Sequence, residues 1–143
     1  MKPQIRTYID ADVIINALRV DEKKRYGLAF KILEDKNRLL LVSDYLRLET
    51  LPKPVYHRQD IQVAFIKKIF EHAELIRSNG FIIEKALDLA STYGLNGMDA
   101  LHIASAINGG ADEMVSFEKP GRPLYRLPVS VLRLVSLHPD CYH

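Results

Sequence analysis

The chain has 143 residues, 48% of them hydrophobic and 27% charged, a composition that excludes long disorder and suits one domain, 1–143, burying about two thirds of its unfolded surface. Twenty Lys and Arg stand against eighteen Asp and Glu, so net charge does not advertise a nucleic-acid partner unless several acids are neutralised by metal and leave the remaining surface basic. A single cysteine, Cys141, excludes an intrachain disulfide and no Cys/His cluster has zinc spacing, which with the absence of a signal-like or transmembrane run leads to the expectation of a cytoplasmic protein without a membrane partner.

Ile5 to Ile9 reads as a buried strand, and Val13 to Leu18 as a short helix that Asp12 could cap. Glu22 to Asp35 is amphipathic, with Tyr26, Phe30 and Leu33 on one side. Leu39 to Val42 is an apolar run too short for a helix; Ser43 then suits the N-cap of a helix from Asp44 to Leu51, which Pro52 and Pro54 should end. Asp60 to His72 carries a stripe of Ile61, Phe65, Ile69 and Phe70, and a brief strand at Leu75-Ile76 follows. The next helix begins at Gly80 and runs to Tyr93 with Ile83, Leu87 and Ala90 inward, closed by Gly94. Met98 to Asn108 is apolar almost all round, the mark of a central helix, and Gly109-Gly110 stops it. Glu113 to Phe117 is another strand, the prolines at 120, 123 and 128 open a loop, and Val129 to Leu137 supplies a last strand. Strands alternating with helices imply an α/β fold, a mainly parallel sheet with helices on both faces.

Four carboxylates recur at comparable places in this pattern. Asp10 ends the first strand, Glu49 lies in the helix opened by Ser43, Asp99 sits in the first turn of the central helix, and Glu118 follows the strand ending at Phe117. Open α/β sheets place their chemistry at the carboxyl ends of the strands, so the four can converge. Such a cluster repels itself unless a divalent cation neutralises it, and oxygen-only ligands suit Mg²⁺ or Mn²⁺. Glu49 follows Tyr45 by one helical turn and borders an apolar face with Leu48 and Leu51, while Asp99 shares a face with Ile103 and Ala106 and needs a partner for a partly buried charge.

Tyr8 through Asn16, Val42-Ser43 through Glu49, Gly97-Met98-Asp99-Ala100-Leu101-His102-Ile103-Ala104, and Gly110 through Glu118 resemble, in order and spacing, the PIN-domain nucleases. The likeness runs from about Tyr8 to Leu137, and the Met-Asp-Ala-Leu-His stretch is its strongest piece. It implies a three-layer α/β/α sandwich and metal-dependent cleavage of RNA; many members are toxin halves of toxin-antitoxin pairs, with an antitoxin partner and a homodimeric state. Carried over by position, Asp10, Glu49 and Asp99 match the family's first three acids, Glu118 stands where a fourth Asp is usual, and Asp12 stands where Asn, Ser or Thr is more frequent. Ser116 matches a residue that shapes the last loop, and His102 is read as a packing or hydrogen-bonding residue, not a general base.

Two other readings are open. Asp10-Ala11-Asp12-Val13 with the later Leu40-Leu41-Val42-Ser43 also resembles the first motifs of haloacid-dehalogenase-type phosphatases, in which Asp10 would be a nucleophile, but Asp99 is then unexplained. A non-catalytic PIN-like module that binds RNA or protein is the third, supported by the Glu at position 118.

Overall fold

The computed structural model describes residues 3–141, so the pairs 1–2 and 142–143 of the expected domain lie outside the description. The order is β1 (Ile5–Ile9), α1 (Ala11–Ala17), α2 (Lys23–Leu33), β2 (Arg38–Ser43), α3 (Asp44–Thr50), α4 (Pro52–Tyr56), α5 (Asp60–His72), β3 (Glu74–Ile76), α6 (Gly80–Tyr93), α7 (Gly97–Asn108), β4 (Glu113–Ser116) and β5 (Arg133–Ser136). Five strands form one sheet in the order β3-β2-β1-β4-β5, and all four pairings are parallel. The fold is therefore the expected α/β sandwich, and its sheet is wholly parallel among the described strands.

The pleat divides the core in two. Tyr8, Leu41 and Met114 are cross-strand neighbours that pack on one face with α6 and α7, through Ile82, Leu89, Ile103 and Ala106. Ile9, Val42 and Val115, each one residue further on, pack on the other face with Ile14, Ala29, Ile32, Leu46 and Ile66. Both faces are covered, so the strands read as continuous apolar runs. The chain leaves β1 toward β2 and β3 on one side, then returns to place β4 on the other. The carboxyl ends of β1 and β4 thus flank the switch point at which open parallel sheets form a crevice.

Several helix readings need correction. Helix α3 ends at Thr50, as the prolines imply, but Pro52 also opens α4, where its missing N–H costs nothing and its fixed φ favours a new helix. In α5 the buried residues are Ile66 and Ile69, while Ile61 is 88% exposed. In α6 they are Ile82, Ala86 and Leu89, with Ile83 and Leu87 exposed and only Ala90 partly packed. In α3, Leu46 and Thr50 are buried and Leu48 faces solvent. The helix ends hold better, because caps are local: Asn79 accepts from the Ile82 amide, and Gly94 closes α6 at φ 66°, a left-handed conformation open to glycine. Gly109 ends α7 where any side chain would collide with Ile76 of β3. Among the described residues, no helix is long and apolar enough to cross a membrane.

Candidate active site

Asp10 leaves β1 with its backbone amide still bonded to Val115 O at 3.0 Å, and its own side chain caps α1 by accepting from the Ala11 amide at 2.8 Å. This corrects the reading of Asp12 as the cap. The helix starts two residues earlier than Val13, so Asp12 lies inside its first turn and its carboxylate is free to face elsewhere. It faces Ser116, the last residue of β4. The Ser116 hydroxyl stands 3.1 Å from Asp10 Oδ2 and 3.1 Å from Asp12 Oδ2. One hydroxyl hydrogen cannot satisfy both acids. The other Asp12 oxygen, Oδ1, is buried with no hydrogen-bond partner, the sole such side-chain atom among the described residues.

Burial and the neighbouring Asp10 carboxylate push Asp12 up to about 7, with the Phe117 amide and the Ser116 hydroxyl pulling the other way. Asp10 is also raised, first by burial, against the His102 charge and the Ala11 amide. Asp99, held in the first turn of α7, is raised by burial and by the charges of Asp10 and Glu118. Its expected partner is Asn96, the α7 cap, which accepts from the Asp99 amide at 2.8 Å and donates to Asp99 Oδ2 at 3.1 Å.

Glu49 reaches across from α3 and receives His102 Nε2 of α7 on Oε1. His102 is buried, and its other nitrogen, Nδ1, lies 2.6 Å from the Tyr8 hydroxyl, which lies 2.6 Å from Ser43 Oγ. Both nitrogens of His102 are thus engaged in hydrogen bonds. Burial lowers its proton affinity, yet the Glu49 hydrogen bond and the charges of Asp10, Glu49 and Asp99 leave it raised overall.

Glu118 stands on the turn after β4, its amide bonded to Ser116 Oγ at 3.1 Å and its carbonyl accepting from the Tyr125 and Ser136 hydroxyls. Its carboxylate meets Arg122 Nε at 3.3 Å. Asp12 and Glu118 border a cleft of about 480 Å³ whose walls also include Asn16, Arg25, Lys119 and Arg122. A cleft lined by both acids and cations suits a phosphate chain with its charge-neutralising ion.

The four expected acids thus occupy the same sheet edge and act on one another electrostatically, but among the described residues no three acidic, His or Cys side chains stand close enough to enclose an ion without adjustment. The donor set nonetheless fits a hard divalent cation. Every candidate atom is a carboxylate or hydroxyl oxygen, one buried carboxylate oxygen lacks any donor, and two acids compete for one hydroxyl. Sequence reasoning missed Asp12 as a member of this cluster; its signal was the second acid, two residues after the first, at a position where a neutral residue would cap as well.

A family model described as the PIN domain matches residues 7–119. No curated protein matches the sequence. Among solved structures, the fold is similar to a chain of VapBC2 from Rickettsia felis bound to a DNA fragment from their promoter, at 15% identity over 92% of this chain and 98% of that one, with TM-score 0.69. It is also similar to a chain of a toxin-antitoxin complex from Klebsiella pneumoniae, at 18% identity, 92% and 98% coverage and TM-score 0.66. A third is VapBC-1 from nontypeable Haemophilus influenzae, at 16% identity, 93% and 98% coverage and TM-score 0.67. At such identities the likeness is one of fold. The family model, however, spans β1 through the turn carrying Glu118, most of the chain and every acid discussed above, and the chain belongs to the PIN-domain family.

Proposed function

We propose that this protein is a metal-dependent endoribonuclease in which Asp10, Glu49, Asp99 and Glu118 hold Mg²⁺ or Mn²⁺ at the carboxyl edge of the sheet. The observation that carries the reading is the unsatisfied electrostatics of that edge: Asp10 and Asp12 share one hydroxyl, and a buried oxygen of Asp12 has no donor. Folding carboxylates together without a counter-charge is costly, and such arrangements concentrate at functional sites. A bound divalent ion supplies Lewis acidity and lowers the pKa of a coordinated water.

The protein's own part is orientation and charge. The Ala11 amide and Ser116 hydroxyl fix the two oxygens of Asp10, and Asn96 fixes Asp99. Arg25, Lys119 and Arg122 on the cleft wall are placed to receive phosphates flanking the scissile bond. Water adds to phosphorus, the P–O bond breaks, and the proton leaves with the departing oxygen. No side-chain nucleophile is required.

The similar solved structures are toxin-antitoxin assemblies, which supports a toxin role with a cognate antitoxin protein; a homodimeric state is what the family resemblance implies. Purified protein is expected to cleave single-stranded RNA with Mg²⁺ or Mn²⁺ and to stop when EDTA is added. Cleavage that survives thorough chelation overturns the carboxylate–metal reading, and binding of RNA without turnover favours the non-catalytic module. A phosphatase would hydrolyse phosphomonoesters and accept beryllium fluoride at Asp10; neither is expected, since that reading leaves Asp99 without a role.

A further inference from the structure

We propose that His102 is a positioning residue: with Tyr8 and Ser43 it forms a one-way chain of hydrogen bonds that ends on Glu49 and fixes how that carboxylate faces the acid cluster. This rests on the reading of Glu49 as a metal-holding acid, and it assigns work to three residues which that reading leaves idle.

The direction of the chain follows from its first member. The Leu46 amide can only donate, and it does so to Ser43 Oγ at 3.2 Å as part of the α3 cap. The Ser43 hydroxyl hydrogen then goes to Tyr8 Oη, the Tyr8 hydrogen to His102 Nδ1, and the proton on His102 Nε2 to Glu49 Oε1. Each donor is used once and the neutral imidazole is held in a single tautomer; a second proton, on Nδ1, would turn the Tyr8 bond around but leave the Nε2 bond to Glu49 in place. Run the other way, Ser43 would receive from both Leu46 and Tyr8, and its own hydrogen would have no acceptor among the partners the structure gives it. Ser43 and Tyr8 are fully buried and His102 is 2% exposed, so an unsatisfied group here carries the full desolvation cost.

The chain is also rigid. Tyr8 lies in the central strand β1, Ser43 ends β2, and His102 is locked in α7 against the same face of the sheet. Glu49 by contrast is on the short α3 with its side chain about a third exposed. A glutamate there would sample several rotamers; held through Oε1, it keeps Oε2 free of any hydrogen bond from the described residues. Partners that hold a ligand through a second group are worth about ten- to a hundredfold in metal affinity.

The discriminating experiment is a double-mutant cycle on Mn²⁺ affinity, read by electron paramagnetic resonance of free Mn²⁺ with RNA-free protein. His102→Gln should weaken Mn²⁺ binding about tenfold, and Tyr8→Phe, which keeps the ring but removes the hydroxyl that sets the tautomer, should weaken it in the same direction by about threefold. Both effects should vanish in a Glu49→Ala background. If they persist there, or if both variants lower only the melting temperature, His102 is a satisfied core histidine and the inference fails while the metal reading stands. If Glu49→Ala itself leaves Mn²⁺ affinity unchanged, or the wild-type protein binds no Mn²⁺, the ligand reading of Glu49 fails first. Tyr8→Phe carries the test should His102→Gln not fold.

Discussion

Asp10→Asn should abolish RNA cleavage and at the same time raise the melting temperature of the protein in EDTA. The two effects have one origin. In the metal-free fold Asp10 sits in a buried site beside Asp12, with Glu49 adding to the repulsion. An amide at position 10 keeps the oxygen that accepts from the Ala11 amide and replaces a charge with a donor aimed at the Asp12 and Ser116 oxygens. Relief of about 1 kcal/mol corresponds to roughly 3–5 °C for a chain of this size. With saturating Mn²⁺ the order should invert, since the wild-type protein gains binding free energy that the variant cannot. Turnover should fall about a hundredfold or more, at least ~2.7 kcal/mol of lost transition-state stabilisation. Asp99→Asn should follow with the same signs and a smaller stability gain, because Asp99 is only half-buried and already paired with Asn96. Glu118→Ala should be milder: Glu118 is tied to Arg122 and stands apart from the Glu49–His102 contact, so its loss should raise the metal concentration needed without ending turnover. A marked loss of stability for Asp10→Asn in EDTA would make Asp10 a structural cap and no more.

The second large effect is the pH dependence of the metal-free fold. Asp12 moves from the ordinary carboxylate value up to about 7. A carboxylate whose folded value is raised binds more protons in the folded state, so its contribution is least unfavourable below about pH 4, grows as pH rises from about 4 to about 7, and stays constant above. Three pH units correspond to an upper limit of about 4 kcal/mol, and solvent relaxation brings the expected figure to a few kcal/mol. Asp12→Asn removes this cost. Its stability gain over the wild-type protein in EDTA should therefore be large at pH 8 and small at pH 4, and should shrink when Mn²⁺ is present. Paired denaturation curves at several pH values measure it; a gain that is flat with pH would mean Asp12 titrates in the fold as it does in the unfolded chain.

How much of this was legible in the sequence depends on whether the signal was local. Strand β1, the ends of α5 and α6, and the Ser43 cap follow from short-range patterns and were readable. The inward face of α6 was not, because Ile82, Ala86 and Leu89 form one apolar stripe and Ile83, Leu87 and Ala90 another, and only packing against α7 chooses between them. Ile61 misled for the same reason. Asp12 misled because either acid of Asp10-Ala11-Asp12 can start a helix; the Asp10 amide's bond to Val115, more than a hundred positions away, decides which one does. Asp10 and Glu118 were legible as acids at strand ends, whereas Glu49, late in α3, and Asp99, opening α7 after another helix, depend on how those helices pack. The network that ties Glu49 to His102, Tyr8 and Ser43 was not legible, since its members come from separate segments joined only by the sheet.

The most direct test of the central claim is an anomalous difference map from a crystal grown or soaked with Mn²⁺. The expected result is a peak bound by carboxylate oxygens of Asp10, Glu49 and Asp99, with oxygen ligands at about 2.0–2.2 Å and any second peak on the Glu118 side. Mn²⁺ held elsewhere on the protein, or no peak at this edge under conditions in which the same preparation cleaves RNA, would contradict it.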